Sequence, residues 1–484
     1  MDFVSFLTRF KIFPFFRNWN LLNVILGFVD ILAITLAFQL SYFIIYHNTG
    51  GFFFANERFL ALFIFVMPFW LLALYLIKVT EIPRTKRYSV LFIEYFQSAL
   101  AVGIVLLIFY FAFKMVWISR LFLVALAIFG FLLLFTVRFI EYKVFKSYRA
   151  KGFNYINVVL LADDTSIPLI KSLIEHKEWG YKISAIFTGS ERLGEMFERT
   201  SIVGPKYYLG ALNKLMEEEI IDEVLYIRSK VVPGEVRAAI RSCEELGVIF
   251  SLWDKDIRNN NLNNAIKTNI GDAKFLTFIN IPHNSFALLV KHIMDINISL
   301  VMIIFLLPVI VILALIIKFS SPGPVVYRQT RVGLRGRKFS LYKFRTMVAN
   351  AESLKKDLEH ANEVDGPVFK IKDDPRITKV GKFLRKTGLD ELPQLFNVLK
   401  GEMSLIGPRP PIYEETLQYK RWQLRRLSVK PGLSCFWQIK ANRNNIKFEE
   451  WMELDLAYID NWSLRLDFVI LVKTVKTVFK RSGL

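Results

Sequence analysis

The sequence predicts a multi-domain membrane protein. An N-terminal four-helix transmembrane bundle covers residues 1–150, a Rossmann-like α/β domain covers 151–280, and a mainly α-helical part that begins with another apolar helix covers 281–484. Hydrophobic residues make up 53% of the 484 residues and are gathered in long blocks, as in membrane proteins. The middle of the chain changes to short β-rich runs. The length also exceeds one ordinary core, since single domains usually contain about 100–200 residues.

Four apolar segments fill the first third of the chain. Each is close to the ~20 residues that a helix needs to cross a hydrocarbon layer of ~30 Å. Buried helices of a soluble protein would show polar stripes, and these segments barely do. We therefore predict four membrane spans: Leu21 to Tyr46, Phe59 to Ile77, Tyr95 to Phe113, and Leu121 to Val137.

Basic residues that flank these spans predict their orientation. They cluster before the first span, after the second and after the fourth, whereas the other two loops carry only Arg58, Lys114 and Arg120. By the positive-inside rule, both ends of the bundle are cytoplasmic. The first apolar block is too long for a signal-peptide core, so we expect it to be retained. The clustered residues are Arg9, Lys11, Arg17, Lys78, Arg84, Lys86, Arg87, Arg138, Lys143, Lys146, Arg149 and Lys151.

The charge balance predicts an anionic partner. The formal charge is +20, from 63 basic and 43 acidic residues. A nucleic-acid binder would not need long apolar blocks, whereas a protein that handles anionic lipids and phosphates at a membrane needs both features, so we expect no nucleic-acid partner. Only Cys243 and Cys435 occur, far apart, which suggests neither a disulfide framework nor a cysteine metal site.

One acidic residue, Asp30, lies inside the first predicted span. An ionisable residue within a membrane segment is by default a candidate for function. The sequence identifies no partner for Asp30, so a functional role and a packing or interfacial role stay equally open.

From Ile156 to Trp253, short β-rich runs alternate with polar helices, which predicts a small Rossmann-like domain. A dinucleotide site would require Gly-x-Gly-x-x-Gly after the first strand, but Leu161 is followed by Ala-Asp-Asp-Thr. We therefore favour a structural or regulatory module over a cofactor site, and a nucleotide-sugar oxidoreductase is excluded for the same reason. The predicted strands are Ile156 to Leu161, Ile183 to Phe187, Glu223 to Ile227 and Val248 to Leu252, and the predicted helices include Leu212 to Glu219 and Pro233 to Leu246.

A fifth apolar run extends from Ile296 to Ile317 and is long enough for a full crossing. It contains Pro308, which removes a backbone donor, so we expect a kink there. A kinked helix could enter and leave on the same face of the membrane. Periodicity alone does not decide between crossing and re-entry.

Two adjacent acids, Asp390 and Glu391, open a stretch with helical spacing of its apolar residues. Because Pro393 is tolerated only in a first turn, the helix should begin near Asp390. Backbone N–H groups and the helix dipole would then keep Asp390 ionised and nucleophilic. An Asp carboxylate can form an acyl-phosphate intermediate, and an adjacent Glu can hold Mg²⁺ against substrate phosphates. On this pair alone, an ordinary N-cap with a first-turn Glu is the alternative.

Cations elsewhere in the last third favour the chemical interpretation. Arginine suits bidentate phosphate binding, and a metal would offset the remaining charge of a diphosphate. Any single one of these residues could form a surface salt bridge, but the set indicates phosphate chemistry. The residues are Lys343, Arg345, Arg376, Arg385 and Arg409.

At this point the sequence resembles the bacterial polyprenyl-phosphate sugar-1-phosphate transferases, especially the large members similar to undecaprenyl-phosphate glucose phosphotransferase. The resemblance covers essentially the whole chain. Its most specific motifs are Lys291 through Asp295, Ser321-Pro322-Gly323-Pro324, Arg331-Val332-Gly333, Lys343-Phe344-Arg345-Thr346-Met347, the stretch from Asp390, Gly407-Pro408-Arg409-Pro410 and Lys430-Pro431-Gly432-Leu433.

The resemblance implies a two-step transfer of a sugar 1-phosphate from a UDP-sugar to undecaprenyl (polyprenyl) phosphate, with release of UMP. By motif position Asp390 is the nucleophile and Glu391 the residue that binds Mg²⁺. Arg385 and Arg409 correspond to arginines associated with phosphate groups, and we add Lys343, Arg345, Arg376 and Lys430 as substrate-binding candidates. The product would enter surface polysaccharide synthesis. A catalytically inactive membrane scaffold or regulator of glycan assembly is the alternative.

The resemblance also implies that Pro308 belongs to a re-entrant helix. Nucleotide sugars are cytosolic, so re-entry would keep a mainly α-helical cytosolic catalytic domain, residues 281–484, on the side of its donor. The expected location is the bacterial cytoplasmic (inner) membrane, and a homodimer is a further expectation. Many relatives carry Thr-Gly where this chain has Ser434-Cys435-Phe436, which weakens any inference about the sugar.

The C-terminal segment is predicted to be a helix from Leu466 to Lys480 that mixes apolar residues with lysines. Such a helix can anchor at the membrane interface. The nearby acids Asp455, Asp460 and Asp467 are interpreted as helix caps and ion-pair members rather than catalytic groups.

Overall fold

A computed structural model describes most of the chain in two compact units. The first comprises Met1–Tyr155, Lys171–Tyr181 and Asn269–Ala273, and the second Ile156–Ile170, Lys182–Thr268 and Lys274–Leu484. Four of the predicted orienting residues, Arg9, Lys11, Arg17 and Lys78, lie outside the described residues, as does Lys480. The described residues are 19–46, 51–76, 84–197, 201–203, 208–253, 265–278, 285–348, 350–351, 353–354, 357, 362–363, 365–369, 371, 374–439 and 446–479.

Among the described residues of the first unit, four long helices lie at the positions of the predicted spans. Each is long and apolar enough to cross a membrane, which confirms that this part of the chain forms apolar helices. The last helix continues well past Val137, to Ala150, and so includes a polar C-terminal part in addition to the predicted apolar span. The helices are α1 (Trp19–Tyr46), α2 (Glu57–Leu76), α3 (Tyr88–Ala112) and α4 (Arg120–Ala150).

Aromatic rings fill the centre of this bundle. The ring of Phe38 on α1 lies 4.6 Å from Phe53, 5.4 Å from Phe63 and 5.2 Å from Phe122, measured between centroids. Helices α2 and α4 come close together at Gly130, because this residue has no side chain. A Cβ on Gly130 of α4 would lie 1.9 Å from Cη2 of the fully buried Trp70 on α2.

The partner of Asp30 is Arg138 on α4. The Arg138 Nη2 donates to Asp30 Oδ2 at 2.7 Å, and its Nε donates to the hydroxyl of Tyr95 on α3 at 2.7 Å. Both charged side chains are 2% exposed. This pairing links three helices. Because an isolated buried charge is costly, the contact with Arg138 favours the packing role for Asp30.

The first part of the second unit is a seven-stranded sheet with the strand order β3-β2-β1-β4-β5-β7-β6. The pairs β1/β4, β4/β5 and β2/β3 are parallel, and β5/β7 is antiparallel. The predicted Rossmann-like domain is therefore present. The strands are β1 (Ile156–Ala162), β2 (Tyr181–Thr188), β3 (Ser201–Val203), β4 (Glu223–Ile227), β5 (Ile249–Trp253), β6 (Ala265–Ile270) and β7 (Ala273–Phe278).

Strand β4 and the helix from Pro233 begin and end as predicted, whereas β3, β6 and β7 were missed. Strand β3 has only three residues, and β6 is polar and half exposed, so neither shows the buried apolar run on which the prediction relied. The helices of this region are α5 (Ile167–Glu175), α6 (Glu191–Met196), α7 (Tyr208–Glu218) and α8 (Pro233–Leu246).

The rest of the second unit is mainly helical, as expected, with two small sheets. An antiparallel hairpin joins β8 (Val326–Val332) to β9 (Lys338–Phe344), and β10 (Ser404–Ile406) pairs in parallel with β11 (Gly432–Ser434). The helices are α9 (Ser285–Ser320), α10 (Lys379–Thr387), α11 (Gln394–Leu399), α12 (Tyr413–Thr416), α13 (Arg421–Leu424), α14 (Phe448–Asp460) and α15 (Leu464–Phe479).

Helix α9 contains the fifth apolar run and passes through Pro308. One side is buried in the domain, through Ile303, Leu313 and Ile317, while the other side leaves large residues such as Phe305 exposed. The helix is thus long and apolar enough to cross a membrane but also packs on the C-terminal, mainly helical part of the chain.

Candidate active site

The two adjacent acids lie in a short turn between two helices. Helix α10 ends at Gly388, whose φ of 70° is in the left-handed region that glycine adopts easily. Residues Leu389–Glu391 form a 3₁₀ turn, and α11 begins only at Gln394. The expectation that the α-helix begins near Asp390 is therefore corrected. The turn is closed by bonds three residues apart, such as Glu391 N–H to Gly388 O at 3.3 Å.

Asp390 is buried, with 8% of its surface exposed. Burial raises the pKa of Asp390 to about 6, against the positive charge of Lys343, while the neighbouring Glu391 raises it further. Desolvation thus outweighs the stabilisation expected from a helix terminus, although a pKa of about 6 still leaves Asp390 mostly ionised at neutral pH. The carboxylate form prevails only above about pH 6.

Glu391 has the opposite behaviour. Its carboxylate accepts a 2.7 Å hydrogen bond from Lys343 Nζ, and 35% of the side chain is exposed. Burial acts to raise its pKa, but the charge and hydrogen bond of Lys343 and the charge of Arg409 leave the pKa of Glu391 lowered. One acid thus stays ionised where the other titrates near neutrality, a pattern typical of groups with different chemical roles.

Asn397 holds Lys343 in place. This fully buried side chain on α11 accepts from the Tyr342 N–H at 3.0 Å and donates to Ser340 O at 2.7 Å, so it binds the backbone of β9 on both sides of residue 341. Sequence reasoning missed it. The available signal was an amide in an otherwise apolar helical run, since such a residue is buried only if its hydrogen bonds are satisfied.

Arg385 on α10 lies close to both Asp390 and Asp374, whose negative charges act on it. Burial lowers the pKa of Arg385, and these two carboxylates oppose the effect. Its Nε donates to Thr346 Oγ1 at 3.1 Å. Arg385 therefore presents a positive charge to the nucleophile candidate from a fixed position.

Arg409 lies in the loop after β10, and its charge acts on Glu391. The loop is held by close backbone contact: a Cβ on Gly432 would lie 2.1 Å from Gly407 N. The side chain is half-buried, and among the described residues it forms no ion pair within 4.0 Å. Lys343, Arg385 and Arg409 are thus brought together around the two acids, as the sequence predicted.

Two other predicted substrate contacts have their guanidinium groups engaged within the protein. Arg345 donates to the carbonyls of Ile317, Ser321 and Pro324 at 2.7–3.1 Å, which caps the C-terminal end of α9. Arg376 forms a two-point pair with Asp374, at 2.9 and 2.6 Å. Both arginines are buried.

Lys430 lies away from the residues around Asp390 and close to Lys291 and Asp295 of α9. Burial lowers the pKa of Lys430 to about 8, although Asp295 opposes that shift. Asp295 accepts from Leu405 N–H at 3.0 Å and Ser404 Oγ at 2.7 Å, which ties α9 to β10. The structure does not group Lys430 with the charges around Asp390.

The C-terminal acids are ion-pair members, as predicted. Asp467 binds Lys291 at 2.6 Å, and Asp455 binds Arg426 at 2.6 Å. Asp460 pairs with Arg425. Burial raises the pKa of Asp455 to about 6, against the charge of Arg426.

Asp163 lies at the end of β1, where a Rossmann domain usually binds phosphate. Its side chain accepts hydrogen bonds from the backbone N–H groups there. Its carboxylate accepts from Thr165 N at 3.0 Å and from Ser229 N at 2.6 Å. A protein carboxylate thus uses the backbone N–H groups that a bound phosphate would need. A structural or regulatory role of this domain remains a prediction.

Comparisons with known proteins identify two regions. Residues 286–481 match the family described as bacterial sugar transferase, and residues 75–225 match the one described as CoA-binding domain. The chain is 39% identical over 257 residues to the galactosyl transferase CpsE of Streptococcus agalactiae serotype III, which is 51% of this chain and 55% of that protein.

Two further relatives differ in length. The UDP-glucose:undecaprenyl-phosphate glucose-1-phosphate transferase of Klebsiella pneumoniae is 36% identical over 231 residues, 46% of this chain and 47% of that protein. The chain thus matches about half the length of these two large relatives. The exopolysaccharide production protein ExoY of Sinorhizobium fredii is 38% identical over 197 residues, 40% of this chain and 87% of that protein. This near-complete match, together with the paired acids and the cations around them, shows that the chain belongs to the bacterial sugar transferase family.

Proposed function

We propose that this membrane protein transfers a sugar 1-phosphate from a UDP-sugar to undecaprenyl phosphate, releasing UMP, in the first membrane step of surface polysaccharide synthesis. The observation that carries the proposal is the division of roles between Asp390 and Glu391, surrounded by Lys343, Arg385 and Arg409. The name of the Klebsiella relative supports a UDP-hexose donor and a lipid phosphate acceptor, and the name of the Streptococcus relative supports transfer of a hexose.

In the first step, an oxygen of the Asp390 carboxylate attacks the sugar-bearing phosphorus. A phosphorus–oxygen bond to Asp390 forms, the bond to the bridging oxygen breaks, and UMP leaves with that electron pair. In the second step, a phosphate oxygen of undecaprenyl phosphate attacks the same phosphorus and Asp390 is released as a carboxylate. Burial supports this role, because a poorly solvated carboxylate is a better nucleophile than a hydrated one.

The cations have separate tasks in this proposal. Lys343 holds Glu391 ionised at 2.7 Å, while Arg385 and Arg409 bind the phosphates on either side. Arg345 and Arg376 act as positioning residues, because their guanidinium groups are engaged within the protein. Lys430 lies beside the membrane helix and is a candidate contact for the acceptor phosphate rather than the donor.

The acids fit Mg²⁺. No group of three possible metal ligands occurs among the described residues, but Mg²⁺ commonly takes one or two carboxylates and completes its shell with water and substrate phosphates. Glu391 is partly exposed and ionised, so it would hold the ion. When bound, the ion would offset the charge of the diphosphate.

Helix α9 supports a re-entrant arrangement. Near its start, Asp295 binds β10, and near its end, the Ile317 carbonyl accepts from Arg345, which follows β9. These two helix positions are about 33 Å apart at 1.5 Å per residue. A straight crossing would separate them by the thickness of the bilayer, yet both contact the same domain. The exposed apolar side would then face lipid while the catalytic domain stays cytosolic, at the inner membrane.

Replacement of Asp390 by asparagine tests the nucleophile. Purified D390N, given Mg²⁺, undecaprenyl phosphate and a panel of UDP-sugars, should release UMP about 10³-fold more slowly than the native protein, since the attacking oxygen is lost. Asp460→Asn is the matched control, because Asp460 is a partly exposed carboxylate paired with Arg425 outside the site. Native activity in D390N would refute the assigned nucleophile, and no UMP from the native protein with any donor would refute the function.

The activity should also depend on the ionisation of Asp390. Its pKa is raised to about 6, so the reactive carboxylate is lost as the pH falls through that value. We expect kcat/KM for the donor to fall about tenfold per pH unit below pH 6 and to be level from pH 7 to 8. Asp455 has a similar pKa, so Asp455→Asn is the control and should keep the same profile. A level profile between pH 5 and 7 would contradict the assignment.

Cysteine labelling tests the topology. The native Cys243 and Cys435 are buried, so both can stay in place while single cysteines are introduced at exposed positions. In intact cells with a permeable outer layer, a membrane-impermeant maleimide should label Asn56→Cys and Lys114→Cys. It should not label Lys143→Cys or Lys318→Cys until the membrane is opened. Labelling of Lys318→Cys from outside would show that α9 crosses the membrane.

A further inference from the structure

We infer that the Rossmann-like domain positions the phosphate-binding Arg409, and that Asp222, at the start of β4, is the main positioning residue. This inference rests on the proposed function. It assigns a task to a domain whose phosphate position is filled by Asp163.

The first contact between this domain and the catalytic part is a cluster of three charges around a buried carboxylate. Asp222 is 1% exposed. It accepts two hydrogen bonds from Arg337, at 2.8 and 2.7 Å, and one from Arg335 at 3.1 Å. Both arginines belong to the turn between β8 and β9, and Asn157 N–H donates to the same carboxylate at 3.0 Å. Two-point arginine pairs fix orientation as well as distance, so Asp222 holds this turn in one position.

The turn is connected directly to the loop that carries Arg409. Val332, the last residue of β8, donates its N–H to Pro411 O at 2.9 Å. Arg331 Nη1 donates to Pro410 O at 2.9 Å, and its side chain is buried. The two residues that follow Arg409 are therefore held by the strand that Asp222 anchors.

A second contact reaches the same loop from another side. Arg421 on α13 binds Asn213 of α7 at 2.7 Å and Glu245 of α8 at 3.1 Å. Gly247 lies against Ser428, where a Cβ on the glycine would be 2.2 Å from the serine Cβ.

Between Arg421 and Ser428 lies Arg426, which carries this contact to Arg409. Its Nη2 donates to the Arg409 carbonyl at 2.9 Å and to Asp455 at 2.6 Å. Both contacts therefore end on the backbone at positions 409–411. A phosphate ligand has to be placed within a fraction of an ångström for fast transfer, so loss of either contact should slow the reaction without removing a reacting group.

The test uses Asp222→Asn in the full-length protein, with Glu218→Gln as the matched control. Glu218 is an exposed carboxylate of the same domain and pairs with Lys214 at 3.8 Å. Among the described residues it has no hydrogen bond or ion pair to Asp222, Arg335, Arg337 or Arg421. We expect D222N to lower kcat/KM for the UDP-sugar about tenfold and E218Q to leave it unchanged. The shape of the pH profile should stay the same in both, because neither change alters the paired acids.

A double-mutant cycle separates positioning of Arg409 from a general loss of structure. If Asp222 acts through Arg409, then D222N should add less than a twofold loss in the Arg409→Ala background. Fully multiplied losses in the double variant, or native kcat/KM in D222N, would overturn the inference. Arg337→Gln, which removes the other partner, and Arg421→Gln, on the second contact, should show the same cycle if D222N folds poorly. The native protein and D390N are assayed for UMP release in the same experiment. If the native protein is inactive, the proposed function is overturned. If the native protein is active and D222N has native kcat/KM, only the inference about Asp222 is overturned.

Discussion

The ion pair between Lys343 and Glu391 is the interaction on which the site depends. It lowers the pKa of Glu391 beside Asp390, whose pKa burial raises, so the two neighbouring carboxyl groups are suited to the different tasks proposed for them. The pair exists because Asn397 fixes the backbone of β9 next to the turn that carries the acids. A change in that strand would move Lys343 and reduce the difference between the pKa values of the two acids.

The surrounding fold suits the proposed reaction between a soluble donor and a membrane lipid. Helix α9 has an exposed apolar side and is tied to the domain at Asp295 and at Ile317. The Rossmann-like domain contacts the same catalytic part through Asp222 and Arg421. The charged candidate site and the apolar helix are thus held by the same C-terminal part of the chain.

Much of this was predictable from sequence, and the exceptions have physical reasons. Long apolar runs and the parallel strands were found because burial on all sides leaves a continuous pattern, as in β4. The roles of Arg345 and Arg376 were not, because whether an arginine meets a substrate or a carbonyl depends on tertiary contacts such as that with Ser321. The raised pKa of Asp390 likewise comes from packing, which sequence spacing does not record.

The central claim is that a phosphosugar is carried on Asp390. Its most direct test is intact-protein and peptide mass spectrometry after incubation with a UDP-sugar and Mg²⁺ in the absence of undecaprenyl phosphate. The account predicts a mass increase of one phosphosugar on the peptide containing Asp390, together with one equivalent of UMP, and loss of the adduct when undecaprenyl phosphate is added. UMP released only when the lipid is present, with no adduct under any condition, would contradict the account and indicate direct transfer.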